Sequence, residues 1–146
     1  LFVKLPPWPR DDENRRELLK LAATAVDAGV DGLVIANTHP IESSRLQVGR
    51  GGLSGAPLFE HTELMIADIQ AQVQGEVAII ACGGVSTGEH VWKLLASGAS
   101  AVQLYTAFIY EGPGLPARIN KRLSKLMIAA GITNIGDISG EPPSIR

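Results

Sequence analysis

A single cysteine, Cys82, and only three histidines leave this chain without an internal disulfide and without the clustered spacing of a metal site. A basic excess is missing too: 13 lysines and arginines stand against 15 acidic residues, for a net charge of -2. No stretch gathers cations on one face, which excludes nucleic acid as a partner. No apolar run approaches the ~20 residues that cross a bilayer, and no basic leader with a cleavage site opens the chain, so the segment reads as soluble. The lone cysteine points to a reducing compartment. There is no initiator methionine either; Leu1 opens the chain inside a strand-like run, and a preceding segment is expected. With 146 residues there is room for one domain with its own core and not for two.

What is present is a repeating alternation. Leu1 to Leu5 is a short β-forming run stopped by Pro6, Pro7 and Pro9. Asp11 or Asp12 can cap the helix that follows, whose inward face carries Leu18, Leu19, Ala22, Ala25 and Val26 up to Gly29. Val30 to Ala36 is the next strand, apolar almost throughout and therefore expected to be buried on both faces. From Thr38 to Leu58 no periodicity survives, and the stretch reads as one long functional loop rich in glycine. A helix from Glu60 to Gln74 turns Leu64, Met65, Ile69 and Val73 inward. Strand Val77 to Ala81, the turn Gly83-Gly84, helix Gly88 to Ser97 and strand Ala101 to Leu104 follow. A last helix, Leu115 to Ala130, precedes a tail expected to fray over residues 141 to 146, leaving 1 to 140 as the folded unit. The order is βα repeated, which means a parallel α/β sheet with right-handed crossovers. An open doubly wound sheet and a piece of a (β/α)8 TIM barrel both satisfy it. A whole barrel takes roughly 200 residues or more, so four units make about half of one.

The polar residues that stand out all follow a strand: Lys4, then Asn37 and Thr38, then Gly83 and Gly84, then Tyr105 and Thr106. In a barrel those ends share the face that carries active sites, and the last two strands commonly hold a phosphate. Glycines where a strand hands over to a helix leave amides pointing outward, which suits a phosphoryl group, though the same pair also makes an ordinary tight turn. Lys4 can be a strand-end lysine in solvent, a cation beside an electron-rich or anionic ligand, or an amine nucleophile. Asn37 reads as a turn residue or as an amide offered to a substrate with carbonyl and N–H edges. Ser54 sits among Gly49, Gly51, Gly52 and Gly55 in what can be a nest of amides. Tyr105 can equally be a core aromatic and Thr106 a helix cap, and Cys82 reads as a small core residue. His39, His61 and His90 fall in loop or exposed-helix positions without visible partners and are given no catalytic role.

Taken together, LFVKLPP, DGLVIANT, GGLSGAPL, ACGGVSTGEH and ASAVQLYTAFIYEGP resemble the C-terminal half of dihydroorotate dehydrogenase. The resemblance runs from Leu1 to about Gly140. GGLSG-x-PL and LYTAF-x-Y-x-GP look like the quinone-using, membrane-associated class 2 more than the soluble class 1. The resemblance implies a TIM barrel that binds FMN at the ends of its strands and oxidises dihydroorotate to orotate in pyrimidine synthesis, passing electrons to a quinone. On that basis Lys4 contacts the flavin ring, Ser54 and Gly55 lie on the flavin, and Asn37 with Thr38 binds orotate and the flavin edge. Gly83, Gly84, Tyr105 and Thr106 hold the FMN phosphate. The chain departs from the family at His39, where a second threonine is common, and at Ala36, which replaces another. The serine base of class 2, the remaining orotate asparagines, and the quinone tunnel that attaches the enzyme to a mitochondrial or bacterial inner membrane belong to the N-terminal part. No catalytic base is expected within this chain, and the chain alone is expected to be inactive.

Two other readings stand beside this one. A phosphate-binding barrel lyase or isomerase would use Lys4 as its nucleophile and needs an acid close to it. A half-barrel without turnover would bind FMN or another phosphate compound and, with its edge strands open, self-associate or pair with an N-terminal half.

Overall fold

In the computed structural model, which describes residues 1–9 and 11–145, the expected alternation is realised with two additions. The elements run β1 (Phe2–Lys4), α1 (Asp12–Asp27), β2 (Gly32–Ile35), β3 (His39–Glu42), β4 (Arg50–Leu53), α2 (Phe59–Val73), β5 (Ala78–Cys82), α3 (Gly88–Ala96), β6 (Ala101–Gln103), α4 (Thr106–Glu111) and α5 (Leu115–Ala130). Strands β1, β2, β5 and β6 pair in that order, all parallel. One is β3 and β4, an antiparallel hairpin inside the stretch read as one long functional loop, and the other is the short helix α4.

Local chemistry accounts for the helix starts. The Asp11 carboxylate accepts from the Asn14 amide at 2.8 Å and caps α1, which also holds that carboxyl below its ordinary pKa. Thr87 caps α3 by accepting from the His90 amide at 3.1 Å. Leu115, Ile119, Leu123 and Leu126 form the buried stripe of α5, as their spacing requires. In α2 the buried stripe is Phe59, Thr62, Met65, Ile66, Ile69 and Val73, so Leu64, expected inward, stands 55% exposed.

Period-two alternation then separates the two sheet faces. Leu33, Ile35, Ile79 and Ala81 are completely buried beneath the helices, each larger side chain contributing about 1.5–3 kcal/mol through burial. The opposite face carries Phe2, Lys4, Ile80, Cys82, Ala101 and Gln103, none of them buried. Only β2 is buried on both sides. Helices on one face alone are the arrangement of a barrel wall; a doubly wound sheet is covered on both.

The C-terminal residues lie against the helical layer. Trp92 Nε1 donates to the Gly140 carbonyl at 3.0 Å, Lys93 pairs with Glu141 at 3.3 Å, and Ile145 packs on the core. The tail expected to fray from residue 141 therefore has named contacts through Ile145, while Arg146 lies outside the described residues. Among the described residues no helix is long and apolar enough to cross a membrane.

Candidate functional site

At the C-terminal end of the parallel sheet lies a cleft of about 800 Å³ lined by residues from every strand end. All nine residues singled out in the sequence border it: Lys4, Asn37, Thr38, Ser54, Gly55, Gly83, Gly84, Tyr105 and Thr106. Parallel pairing brings them together. Lys4 is opposite Val34 and Cys82 opposite Gln103, so the residues just beyond each strand emerge side by side although far apart in sequence.

Each wall has a local cause. Asn37 follows the buried end of β2, and its Oδ1 accepts from the Thr38 amide at 2.8 Å, which sets the orientation of the side-chain amide. Thr38 packs against Gly52, where an added Cβ would come within 2.8 Å of the threonine Cβ. The hairpin thus needs a glycine to lie over Asn37-Thr38. Beyond β4, Gly55 adopts φ 81° and ψ -157°, a conformation open essentially to glycine alone. That bend lets Ser54 Oγ accept from Thr106 Oγ1 at 3.1 Å, fastening the hairpin's exit to the start of α4. Tyr105 is the N-cap of α4, whose first amides have no side-chain cap, and Thr106 is its first residue.

The Gly83-Gly84 turn is explained by packing. A Cβ on Gly84 would lie 2.6 Å from the Cα of Phe59, and one on Gly83 would meet the Thr62 hydroxyl and lie 3.7 Å from the Leu58 Cβ. The start of α2 occupies the space that side chains would fill, while the turn's other side faces the cleft. His90 braces the same turn. Its ring stacks on Phe59 with centroids 3.8 Å apart, and Nδ1 accepts from the Ser86 amide at 3.3 Å, with Ser86 Oγ at 3.4 Å. Burial pushes the His90 imidazole below its ordinary pKa, against a hydrogen bond with the Gly84 backbone that raises it. The expectation that His90 has no partner is therefore corrected. So is the loop placement of His39, which belongs to β3.

Cys82, expected in the core, lines the cleft, and its sulfur accepts from Lys4 Nζ at 3.7 Å. Strand parity could have placed it, since Cys82 follows Ile80 by two and pairs in register with Gln103. Gln103 and Ser86 were also missed. Among the described residues lining the cleft the only carboxylate is Glu111, which binds Arg118 at 2.8 Å. The cleft therefore offers a cation, hydroxyls and amides, with no free acid beside Lys4. Among the described residues no cluster of three or more His, Cys, Asp or Glu could hold a metal ion.

Comparison with known proteins falls on the same segments. A family model described as Dihydroorotate dehydrogenase matches residues 1–127. The chain is 37% identical over 145 residues to a mitochondrial dihydroorotate dehydrogenase (quinone) of Oryza sativa subsp. japonica, covering 96% of this chain and 30% of the relative. It is 35% identical over 143 residues to a dihydroorotate dehydrogenase (quinone) of Sphingopyxis alaskensis, covering 96% and 39%. Among solved structures, ligand-free DHODH from Eimeria tenella superposes with a TM-score of 0.80 at 38% identity, again covering 96% of this chain and 39% of that one. The chain spans between 30% and 39% of the length of these curated relatives.

Proposed function

The chain belongs to the dihydroorotate dehydrogenase family, and we propose that it forms the flavin-binding wall of an FMN-dependent enzyme that oxidises dihydroorotate to orotate and delivers the electrons to a quinone. The carrying observation is the convergence of nine residues from separate strand ends on one cleft. A volume of about 800 Å³ falls within the roughly 300–1,000 Å³ of cofactor and ligand sites. The donor set suits FMN: uncapped amides at Tyr105 and Thr106 beside the Gly83-Gly84 turn for the phosphate, and one lysine for the electron-rich ring.

Lys4 would hold the flavin ring from the end of β1, with Ser54 and Gly55 against its face. Gly83, Gly84, Tyr105 and Thr106 would bind the phosphate, and Asn37 with Thr38 would present amide and hydroxyl groups to orotate and the flavin edge. The bound flavin would supply the two-electron acceptor that no side chain can provide. The Asn37 amide, oriented through Thr38, fixes the substrate's carbonyl and N–H edges, and Lys4 keeps a positive charge over whatever negative charge develops nearby. Proton removal needs a base, and Glu111 is engaged with Arg118. As the family resemblance implies, the base would come from the part of the enzyme beyond these residues, as would the quinone contact, and this chain alone would not turn over. The absence of a free acid beside Lys4 counts against the lyase reading.

Titration of the protein with FMN, followed by flavin absorbance and fluorescence with and without orotate, tests this. Thr106→Asp puts a carboxylate among the amides at the start of α4 and is expected to lower FMN affinity at least tenfold with the circular dichroism spectrum unchanged. Equal FMN binding by the variant, or none by the parent protein, would overturn the assignment.

A further inference from the structure

We propose that His90 is a positioning residue for the anion corner: its neutral imidazole, wedged between the Phe59 ring and the Ser86 amide, keeps the Gly83-to-Ser86 turn shaped for a phosphate, and protonation frees the Ser86 end of that turn. The inference rests on the phosphate placement proposed above, but its structural part stands apart from it. His90 does not line the cleft; Gly83, Gly84, Val85 and Ser86 do. It acts on them from behind. Its Nδ1 accepts from the Ser86 N–H at 3.3 Å, so that nitrogen carries no proton and the ring's hydrogen is on Nε2. The ring stacks at 3.8 Å on Phe59, the residue whose backbone fills the space behind Gly84. One side chain thereby couples α2, α3 and the turn.

Protonating Nδ1 converts an acceptor into a donor facing the Ser86 N–H, so that bond is lost, while the Ser86 hydroxyl can turn to accept from the ring. The charged groups around the ring are Glu63 of α2 and Glu89 of α3, which favour the imidazolium, and Lys93 of α3, which opposes it. Burial outweighs the Gly84 backbone hydrogen bond and the two carboxylates and keeps the ring neutral near pH 7. The Ser86 end of the turn should accordingly loosen as pH falls below the ordinary imidazole value of 6.5.

Three variants separate positioning from plain structural support. His90→Asn retains an acceptor in the Nδ1 position and cannot titrate; His90→Phe retains the stack and loses the acceptor. Affinities for FMN and for riboflavin, which lacks the phosphate, would be measured between pH 5 and 8. In the parent protein the FMN-to-riboflavin affinity ratio is expected to fall several-fold on acidification; in His90→Asn it should stay high and flat, and in His90→Phe low and flat. Ser86→Pro, without the amide hydrogen, should resemble His90→Phe. Independently of any ligand, the Ser86 amide resonance should shift with the His90 ring titration, at a pKa below 6.5. Parallel pH profiles in all variants, or a Ser86 amide indifferent to the ring's titration, would overturn the proposal. Failure of the parent protein to bind FMN would count against the cofactor assignment, leaving the amide titration to decide the role of His90.

Discussion

Gly84 shows how one residue's chemistry can serve packing and site at once. Its φ of 73° is left-handed, and the Cβ direction runs into the Phe59 backbone. In Gly84→Ala the left-handed conformation costs about 1–2 kcal/mol and the collision about 1–3 kcal/mol more, for a loss of roughly 2–5 kcal/mol. Gly29 provides the control, with φ 80° and nothing within 4 Å of its Cβ position. There the same substitution should cost only the conformational part, about 1–2 kcal/mol. Urea unfolding of both variants checks the difference, and equal losses would show that α2 yields to a methyl group at Gly84. Loss of flavin binding in a Gly84 variant would report unfolding as much as phosphate contact, which is why Thr106 is the better probe of the cofactor.

At the scale of the element, α3 carries the turn's supports on a single helix: Thr87 at its cap, His90 one turn in, and Glu89 paired with Arg122 of α5 at 2.5 Å. Burial opposes ionisation of Glu89, but the Arg122 guanidinium and local hydrogen bonds hold its carboxyl below the ordinary value. Thr87→Ala should destabilise the protein by about 1 kcal/mol, a fall of about 3 °C in Tm by calorimetry; an unchanged Tm would mean the cap is replaced by solvent. The sequence made most of these elements legible because glycines, prolines and apolar runs mark their limits. All four parallel strands and α1, α2, α3 and α5 stand within a residue or two of expectation. The hairpin was hidden because Arg50–Leu53 contains two glycines and β3 contains Pro40, which erases β-propensity, and its strands form by pairing with each other. Helix α4 was hidden because none of its residues is buried, so it has no apolar stripe to read. The candidate site was legible as a set of strand ends. What supports it from behind was not, because Phe59 and His90 meet only after two crossovers bring α2 beside α3.

For the whole molecule, the decisive property is the uncovered face of the sheet. Strands β1 and β6 are its two ends, and each has a partner on one side only among the described residues. Phe2 is 49% exposed on the open face, which also carries partly buried Ile80 and exposed Ala101. An edge with free N–H and C=O groups next to such a face is a template for another chain. In a longer protein of this family the remaining strands would close it; in these 146 residues alone, a second copy is the available partner. Sedimentation velocity should show a weight-average coefficient that climbs with concentration through the micromolar range. Ala101→Lys tests the cause directly. Ala101 is exposed on β6, so a lysine there needs no repacking within the chain and puts a charge on the edge strand's open face, a device that blocks edge-to-edge pairing. The variant should remain monomeric to concentrations at least tenfold higher, with the same helical circular dichroism. If the unmodified chain sediments as a compact monomer throughout, the open face is stable in water and the edge argument fails. If Ala101→Lys associates as readily as the parent, association uses another surface, such as the exposed Ile109 and Tyr110 of α4.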